Sequence, residues 1–203
     1  VYGDLPRENL KEDFKTSPQS TYGLTHVLSE ELCNYYNENT KTKCINLRLS
    51  NGYGSPIFRE NNCWQLVINN LCMQAFKNNE IRLLSDGSPL RDFIHVSDIS
   101  QAIKILISCP REKLDSTYHL SSGITLTILD AAFMIKDEYQ KRFKKQIDIM
   151  SLDNSIISNK AIYLNLDRYT IDNSTLIKLG FIPNISMKEG INEVFDYLIK
   201  SNG

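Results

Sequence analysis

The fold is decided by residues 22–52, which spell YGLTHVLSEELCNYYNENTKTKCINLRLSNG. The first part repeats apolar residues at the three- and four-residue spacing of an amphipathic helix, at Leu24, Val27, Leu28, Leu32 and Tyr35. Residues 44–49 then form a short apolar run that predicts a buried strand, and residues 50–52 are turn formers. A helix followed by a buried strand predicts an α/β protein.

The same alternation continues on the C-terminal side of this stretch. Periodicity predicts further helices at 64–76, 98–108, 128–143, 173–179 and 188–199. It predicts strands at 80–84, 91–96, 117–120 and 147–150, with a turn at 86–89. No internal repeat or low-complexity tract interrupts the pattern. The order of elements is typical of the second half of a doubly wound sheet.

Composition narrows the class of protein. The 203 residues are 41% hydrophobic and 23% charged, as in ordinary globular proteins, and the formal net charge is −1. That charge, with no basic patch, does not favour a nucleic-acid or membrane partner. No long apolar run or signal peptide occurs, and the five cysteines form no C-x-x-C pair, so neither a membrane span nor a zinc site is predicted. We therefore expect a cytoplasmic protein without a bound metal.

Phosphate-cradling glycine loops do not occur in these residues. Neither G-x-G-x-x-G nor G-x-x-x-x-G-K-[ST] is present in the sequence. In a doubly wound sheet the glycine loop follows the first strand. The pattern thus indicates the back of such a sheet without its phosphate-binding front.

Two titratable side chains stand at helical spacing near the start of the helix at 22–39. Tyr22 and His26 are four residues apart, so both side chains lie on one helix face and could share a proton. The spacing alone favours an ordinary explanation, in which Tyr22 is a half-buried aromatic residue at a helix start and His26 a surface residue.

Polar residues also follow or interrupt the predicted strands. Arg48 and Asn51 flank a strand end, where α/β folds bind ligands, although Asn51-Gly52 is also an ordinary turn sequence. Arg91 lies on an otherwise apolar strand. It could pair with Asp92 or Asp98, or it could clamp a phosphate with both guanidinium nitrogens.

Five segments, taken together, resemble the extended short-chain dehydrogenase/reductases, the NAD-dependent epimerase/dehydratase family that acts on nucleotide sugars. Residues 1–4 (VYGD) are similar to the strand end after the catalytic Ser/Thr of that family, and 17–26 (SPQSTYGLTH) to its S-P-x-x-x-Y-x-x-x-K segment. The resemblance continues in residues 48–56 (RLSNGYGSP), in 84–98 with RDFIHVSD, and in the tail at 173–197.

This resemblance implies a fold and a set of roles. The fold would be α/β, the C-terminal part of a doubly wound Rossmann-like sheet plus a smaller α/β substrate-binding domain. Residues 1–54 would be the back half of the NAD-binding domain and 55–203 mainly the substrate domain, with 91–125 returning to the nucleotide-binding domain. Tyr22 would be the catalytic acid/base.

The remaining site residues are implied in the same way. His26, at the second catalytic position, would bind the nicotinamide ribose and favour the ionised tyrosine, and Ser50 would lie near the nicotinamide. Asn51 and Arg91 would bind the nucleotide-sugar substrate, Arg91 through its pyrophosphate. The implied cofactor is NAD or NADP, with NAD favoured, and the complete protein is expected to form a homodimer.

The chain departs from the family pattern at two places. His26 stands where the family has lysine. The glycine loop, the ribose-binding acid and the catalytic Ser/Thr would lie before Val1, so we expect an N-terminally truncated member that is inactive on its own. The alternative is a non-catalytic remnant or atypical member that binds a nucleotide sugar without turning it over.

Overall fold

The structure is a computed structural model that describes residues 1–3, 9–58, 60–158 and 168–202. The helices in this part of the chain are α1 to α6, at Thr21–Asn39, Val67–Asn78, Val96–Ser108, Ile128–Phe143, Ser174–Ile177 and Met187–Asn202. Their starts are set by local chemistry. Ser20 caps α1, His95 caps α3, and Thr127 forms a reciprocal capping box with Asp130 at α4. None of the described helices is long and apolar enough to cross a membrane.

The strands are short and mostly parallel. In chain order, β1 to β9 are Asn9–Leu10, Asn46–Leu49, Asn51–Tyr53, Glu80–Arg82, Leu90–His95, Thr117–Leu120, Thr125–Thr127, Asp148–Met150 and Thr170–Ile171. The parallel pairs are β2 with β6, β3 with β5, β4 with β8 and β1 with β9. Strand β7 runs antiparallel to β5.

Two hydrophobic clusters hold these elements together. The larger one joins α2, α4 and α6 to β4 and β8 and contains the buried Ile68, Ile81, Ile135, Ile149 and Phe195. The smaller one packs α3 and α5 against β5 and β6 through Ile94, Ala102, Tyr118, Leu120 and Phe181. The two segments 1–54 and 91–125 meet in the sheet, because β2 and β3 pair with β6 and β5. The domain boundaries at 54 and 55 stay a prediction.

The predicted α/β class is confirmed, and most predicted elements are present. The helix predicted at 128–143 and the strand at 117–120 have the predicted bounds. The helix predicted from residue 64 begins at Val67. The strand end predicted at residues 1–4 is not present in Val1 to Gly3, which form no strand, and Asp4 lies outside the described residues.

One prediction of local structure was wrong. Residues 50–52 do not form a turn, because Asn51–Tyr53 is strand β3. Its backbone pairs with Phe93, Ile94 and His95 of β5, and this distant partner outweighs the turn preference of Asn-Gly. A side chain at Gly52 would have a Cβ 3.3 Å from Ile99 of α3, so glycine allows the strand to approach that helix.

Candidate functional site

A cleft of about 780 Å³ opens where the N-terminal half of α1 faces the ends of β2 and β3. Its walls include all five residues predicted from the sequence: Tyr22, His26, Ser50, Asn51 and Arg91. These residues come from a helix, from the junction of two strands and from a third strand. The structure therefore brings the whole predicted set to one cleft, and their individual roles stay predictions.

Tyr22 and His26 lie together on one face of α1. Their rings meet edge to face, with centroids 4.5 Å apart and an interplanar angle of 71°. Ser20 fixes the first turn by accepting a hydrogen bond from the Gly23 N–H at 3.1 Å. Tyr22 is 75% exposed, and within the described residues its hydroxyl has no hydrogen-bond partner. Its hydroxyl is thus free to reach a bound molecule.

Ser50 and Asn51 both bind Asp92, which belongs to β5. The Ser50 hydroxyl donates to Asp92 Oδ1 at 2.6 Å, and Asn51 Nδ2 donates to the Asp92 carbonyl at 3.1 Å. These hydrogen bonds use the hydroxyl proton of Ser50 and one amide proton of Asn51. The Ser50 lone pairs and the Asn51 side-chain oxygen remain as possible acceptors on two residues that line the cleft.

The Asp92 carboxylate organises this side of the site. It is fully buried and also accepts hydrogen bonds from the Ser122 N–H at 2.9 Å and the Ser122 hydroxyl at 3.0 Å. Burial raises the pKa of Asp92, and the hydrogen bonds from Ser50 and Ser122 oppose that rise. The carboxylate is satisfied by neutral donors, so it joins β5 to the two loops beside it.

Arg91 is exposed on the rim of the cleft. Its Nη1 donates to the neighbouring Leu90 carbonyl at 2.7 Å, and its charge acts on the nearby Tyr169. The two carboxylates considered as partners are occupied elsewhere, Asp92 as above and Asp98 by the backbone N–H groups of Asn184 and Ile185. Among the described residues, neither forms an ion pair with Arg91. Its guanidinium is available to an anion.

Sequence reasoning missed a polar network in the wall of the same cleft, which Tyr2, Glu30, Arg48 and His119 all line. Arg48 was noted only as flanking a strand end, yet it forms two hydrogen bonds with Glu30 and one with Tyr2. Tyr2 in turn contacts His119 at 2.5 Å. Burial and the nearby Arg48 lower the pKa of His119, although the Asp172 carbonyl opposes them. No spacing in the sequence could reveal this network, because its members are separated by up to 117 positions.

The cleft suits one end of a nicotinamide dinucleotide. Tyr22 and His26 offer a free hydroxyl and ring nitrogens for ribose hydroxyls, and Ser50 offers a hydroxyl oxygen that can accept from an amide. The pyrophosphate end has no such fit among these residues, since the sequence contains no glycine loop. The residues present thus fit the nicotinamide half of the cofactor.

Comparisons with known proteins identify the family of this chain. The model of the NAD dependent epimerase/dehydratase family matches residues 1–121. A putative UDP-glucose 4-epimerase of Methanocaldococcus jannaschii is 25% identical over 202 residues, which cover 100% of this chain and 61% of that protein. The chain spans about half to three-fifths of the length of the curated relatives it matches.

Solved structures show the same fold. RMD from Pseudomonas aeruginosa in complex with NADPH superposes with a TM-score of 0.78 at 19% identity, covering 99% of this chain and 64% of that one. UDP-glucuronic acid 4-epimerase from Bacillus cereus in complex with NAD has a TM-score of 0.77 at 22% identity, covering 98% and 57%. At these identities the likeness establishes the fold alone.

Proposed function

Since the chain belongs to the NAD-dependent epimerase/dehydratase family, we propose that the complete protein epimerises, dehydrates or reduces a nucleotide sugar, with Tyr22 as acid/base. The observation that carries the proposal is the convergence of Tyr22, His26, Ser50, Asn51 and Arg91 on one cleft. Three secondary-structure elements bring these residues there, and a surface without a shared ligand gives no reason for that arrangement.

Each residue has a chemical task in this proposal. The Tyr22 hydroxyl takes a proton from a sugar hydroxyl, or returns one to a sugar carbonyl. His26 donates a ring N–H to a ribose hydroxyl and so orients the cofactor beside Tyr22. When bound, the nicotinamide supplies a hydride acceptor or donor. NAD is the favoured cofactor, and NADP is the alternative.

The substrate is held at the other wall of the cleft. Arg91 pairs with the pyrophosphate of the nucleotide sugar, because its guanidinium has no carboxylate partner among the described residues and can bind two phosphate oxygens at once. The Asn51 side-chain oxygen accepts a hydrogen bond from a sugar hydroxyl, while its amide stays fixed to Asp92. This arrangement presents the sugar to Tyr22.

The test uses the complete protein with UDP-, dTDP-, GDP- and ADP-sugars, each with NAD and with NADP. Products are followed by mass spectrometry and by proton exchange at the sugar carbons. We expect turnover of at least one sugar, and loss of turnover in Tyr22→Phe. Tyr35→Phe is the matched control, because Tyr35 is an exposed tyrosine of the same helix that does not line the cleft.

Two outcomes would contradict this proposal. Full turnover in Tyr22→Phe would remove the catalytic assignment of Tyr22. Binding of a nucleotide sugar by the wild-type protein with no turnover under any cofactor would favour the non-catalytic alternative, which the histidine at position 26 makes worth testing.

A further inference from the structure

Helix α1 carries Tyr22 and His26, yet it buries little apolar surface. Gly23 is its one fully buried residue. Three of its leucines, Leu24, Leu28 and Leu32, are 46%, 58% and 57% exposed. Within this chain, the hydrophobic contacts that usually hold a helix against a sheet are therefore scarce along α1.

Polar contacts take their place. Arg48 of β2 donates from Nε and Nη2 to the two carboxylate oxygens of Glu30 in α1, at 2.9 and 2.7 Å. Both side chains are mostly buried, with 12% and 14% exposure. Near the end of the helix, Asn37 exchanges two hydrogen bonds with the backbone of Cys44. These hydrogen bonds join α1 to β2 and to the segment that precedes β2.

Arg48 is itself held by the N-terminal segment. Its Nη1 donates to the Tyr2 hydroxyl at 2.5 Å and to the Glu12 carbonyl at 2.8 Å, and its guanidinium lies 4.8 Å from the centre of the Tyr2 ring. A guanidinium whose three nitrogens all form hydrogen bonds is held in one orientation, and so is the fork of N–H groups that it presents. The position of the fork then sets the position of Glu30.

The Tyr2 hydroxyl is oriented by His119, which lies opposite Arg48 in the register of β2 and β6. His119 Nδ1 lies 2.8 Å from the Asp172 carbonyl, which can only accept, so Nδ1 carries the proton. Nε2 is then an acceptor in the neutral ring. It accepts the Tyr2 proton at 2.5 Å, and Tyr2 is left to accept from Arg48.

We propose that Arg48, oriented by Tyr2 and His119, is a positioning residue that fixes α1 and thereby aligns Tyr22 and His26 in the cleft. The alignment of Tyr22 as acid/base rests on the function proposed above. Glu30 lies one helical turn beyond His26 and two beyond Tyr22, about 12 Å along the axis from the tyrosine. We call Tyr2, Arg48 and His119 the clamp. By holding Glu30 at that distance, the clamp controls the tilt of the helix end that carries Tyr22 and His26.

The network also predicts a dependence on pH. The charged and titratable groups that face His119 are Tyr2 and Glu12 from the N-terminal segment, Arg48 from β2 and Asp172 before α5. A protonated His119 has no acceptor at Nε2, so Tyr2 can no longer donate to it. Because the folded-state pKa is lowered, mainly by burial, the hydrogen bond from Tyr2 to His119 is complete above the usual value near 6.5 and is lost as pH falls through the lowered value, where the Lys11 carbonyl, 3.3 Å from the Tyr2 hydroxyl, remains as its acceptor.

The test compares Tyr2→Phe with Tyr139→Phe in the complete protein. The first removes the hydroxyl that links Arg48 to His119 and that also lies 3.3 Å from the Lys11 carbonyl. The second removes a similar tyrosine hydrogen bond, to Asn79 at 2.8 Å, far from α1 in the sequence. In Tyr2→Phe we expect kcat to fall roughly 10- to 100-fold with KM within about 2-fold, the size of effect that a misplaced catalytic group produces. Hydrogen exchange in α1 should accelerate.

Further variants separate positioning from general stability. Arg48→Lys keeps the charge without the fork, so its kcat and α1 exchange should lie between those of the wild type and Tyr2→Phe. His119→Gln keeps an acceptor for Tyr2 and does not titrate, so the acid limb of the kcat profile should disappear. Tyr139→Phe should lower the melting temperature while leaving kcat and α1 exchange unchanged.

Unchanged α1 exchange and unchanged kcat in Tyr2→Phe would overturn the inference. The same would follow if Tyr139→Phe reproduced its kinetic effect. Hydrogen exchange does not depend on catalysis, so faster α1 exchange in Tyr2→Phe together with full activity in Tyr22→Phe would leave the clamp standing and reject the catalytic assignment alone.

Discussion

At the scale of single residues, the charge beside Tyr22 governs how readily its hydroxyl gives up a proton. The ring of His26 touches the ring of Tyr22, at a centroid distance of 4.5 Å. A neutral imidazole supplies no charge to the tyrosine hydroxyl, whereas the ammonium of the lysine in the family pattern does. His26 can still orient a ribose. We therefore expect this site to bind the nicotinamide end of the cofactor but to favour ionisation of the Tyr22 hydroxyl only weakly.

We predict that His26→Lys raises turnover below about pH 8 and moves the basic limb of the pH–rate profile to lower pH. An ammonium about 5 Å from a phenolate contributes roughly 3 kcal/mol at an effective dielectric near 20, and about 1 kcal/mol when water screens the pair. A rate increase of several-fold to about 100-fold corresponds to that range. His26→Gln serves as the uncharged control, and identical profiles for all three proteins would show that residue 26 does not tune Tyr22.

Arg91 provides a separate prediction about binding. Arg91→Ala should weaken nucleotide-sugar binding by about 1.5 to 3 kcal/mol, the usual value of a charge-assisted hydrogen bond, and should leave NAD binding nearly unchanged. Titration calorimetry of the complete protein measures both affinities. Arg111→Ala is the control, because Arg111 is an exposed arginine that does not line the cleft. Equal weakening of both ligands in Arg91→Ala would point to a structural role.

At the scale of elements, the start of α4 shows how local sequence fixes a helix. Thr127 is fully buried, accepts from the Asp130 N–H at 2.9 Å and donates its own N–H to the Asp130 carboxylate at 3.0 Å. Arg168 also donates to that carboxylate at 2.9 Å. The box therefore joins β7, α4 and the segment before β9.

We predict that Thr127→Ala lowers the free energy of unfolding by about 1 to 2 kcal/mol, because it removes the cap at a buried helix start. Urea denaturation gives the value. Thr127→Ser keeps the hydroxyl and should recover most of the loss, apart from the missing methyl group. If serine and alanine proved equally destabilising, methyl packing would be the cause and the cap would contribute little.

The elements that the sequence predicted are those with local causes. Helix α4 has a capping box and a clear apolar period, and its bounds were predicted correctly. Strands β3 and β7 were not predicted. Both are strands because they pair with β5, β3 in parallel and β7 in antiparallel orientation. Long-range pairing of this kind leaves no local signal in three-residue segments.

The candidate site divides in the same way. Tyr22 and His26 could be predicted as a pair from their spacing, and the motifs resembling the family pattern located Ser50, Asn51 and Arg91. The clamp of Tyr2, Arg48 and His119 could not, because it depends on the pairing of β2 with β6 and on the position of the N-terminal segment. Residues that act through another side chain need the tertiary structure to be recognised.

At the scale of the whole molecule, apolar surface accumulates around β2. Within the described residues β2 pairs with β6 alone, so one edge of the sheet has no partner. A groove of about 570 Å³ beside it includes Ile45, Leu47 and Ile107, and the exposed leucines of α1, on the helix face opposite Glu30, form a second apolar surface. Ile107 is 80% exposed. An unpaired strand edge near exposed apolar surface favours association with another chain.

We predict that the 203-residue chain self-associates at micromolar concentrations. Its net charge of −1 provides little repulsion to oppose contact between such surfaces. Replacing Leu32 and Ile107 with glutamate should shift the protein toward the monomer, since the two changes place one charge on each of the two apolar surfaces. Leu152→Glu with Ile182→Glu adds the same charge at exposed apolar positions that do not line the groove.

Sedimentation velocity over a range of concentrations distinguishes the possible results. If the groove beside β2 and the leucines of α1 cause the association, the Leu32/Ile107 variant sediments as a monomer at concentrations where the wild type and the Leu152/Ile182 variant do not. A defined dimer in the wild type would agree with the homodimer expected for the complete protein, whereas a broad distribution would indicate edge-to-edge aggregation. A wild-type chain that remains a monomer at every concentration, with a sharp cooperative melt, would show that neither the open edge nor the two apolar surfaces drive association.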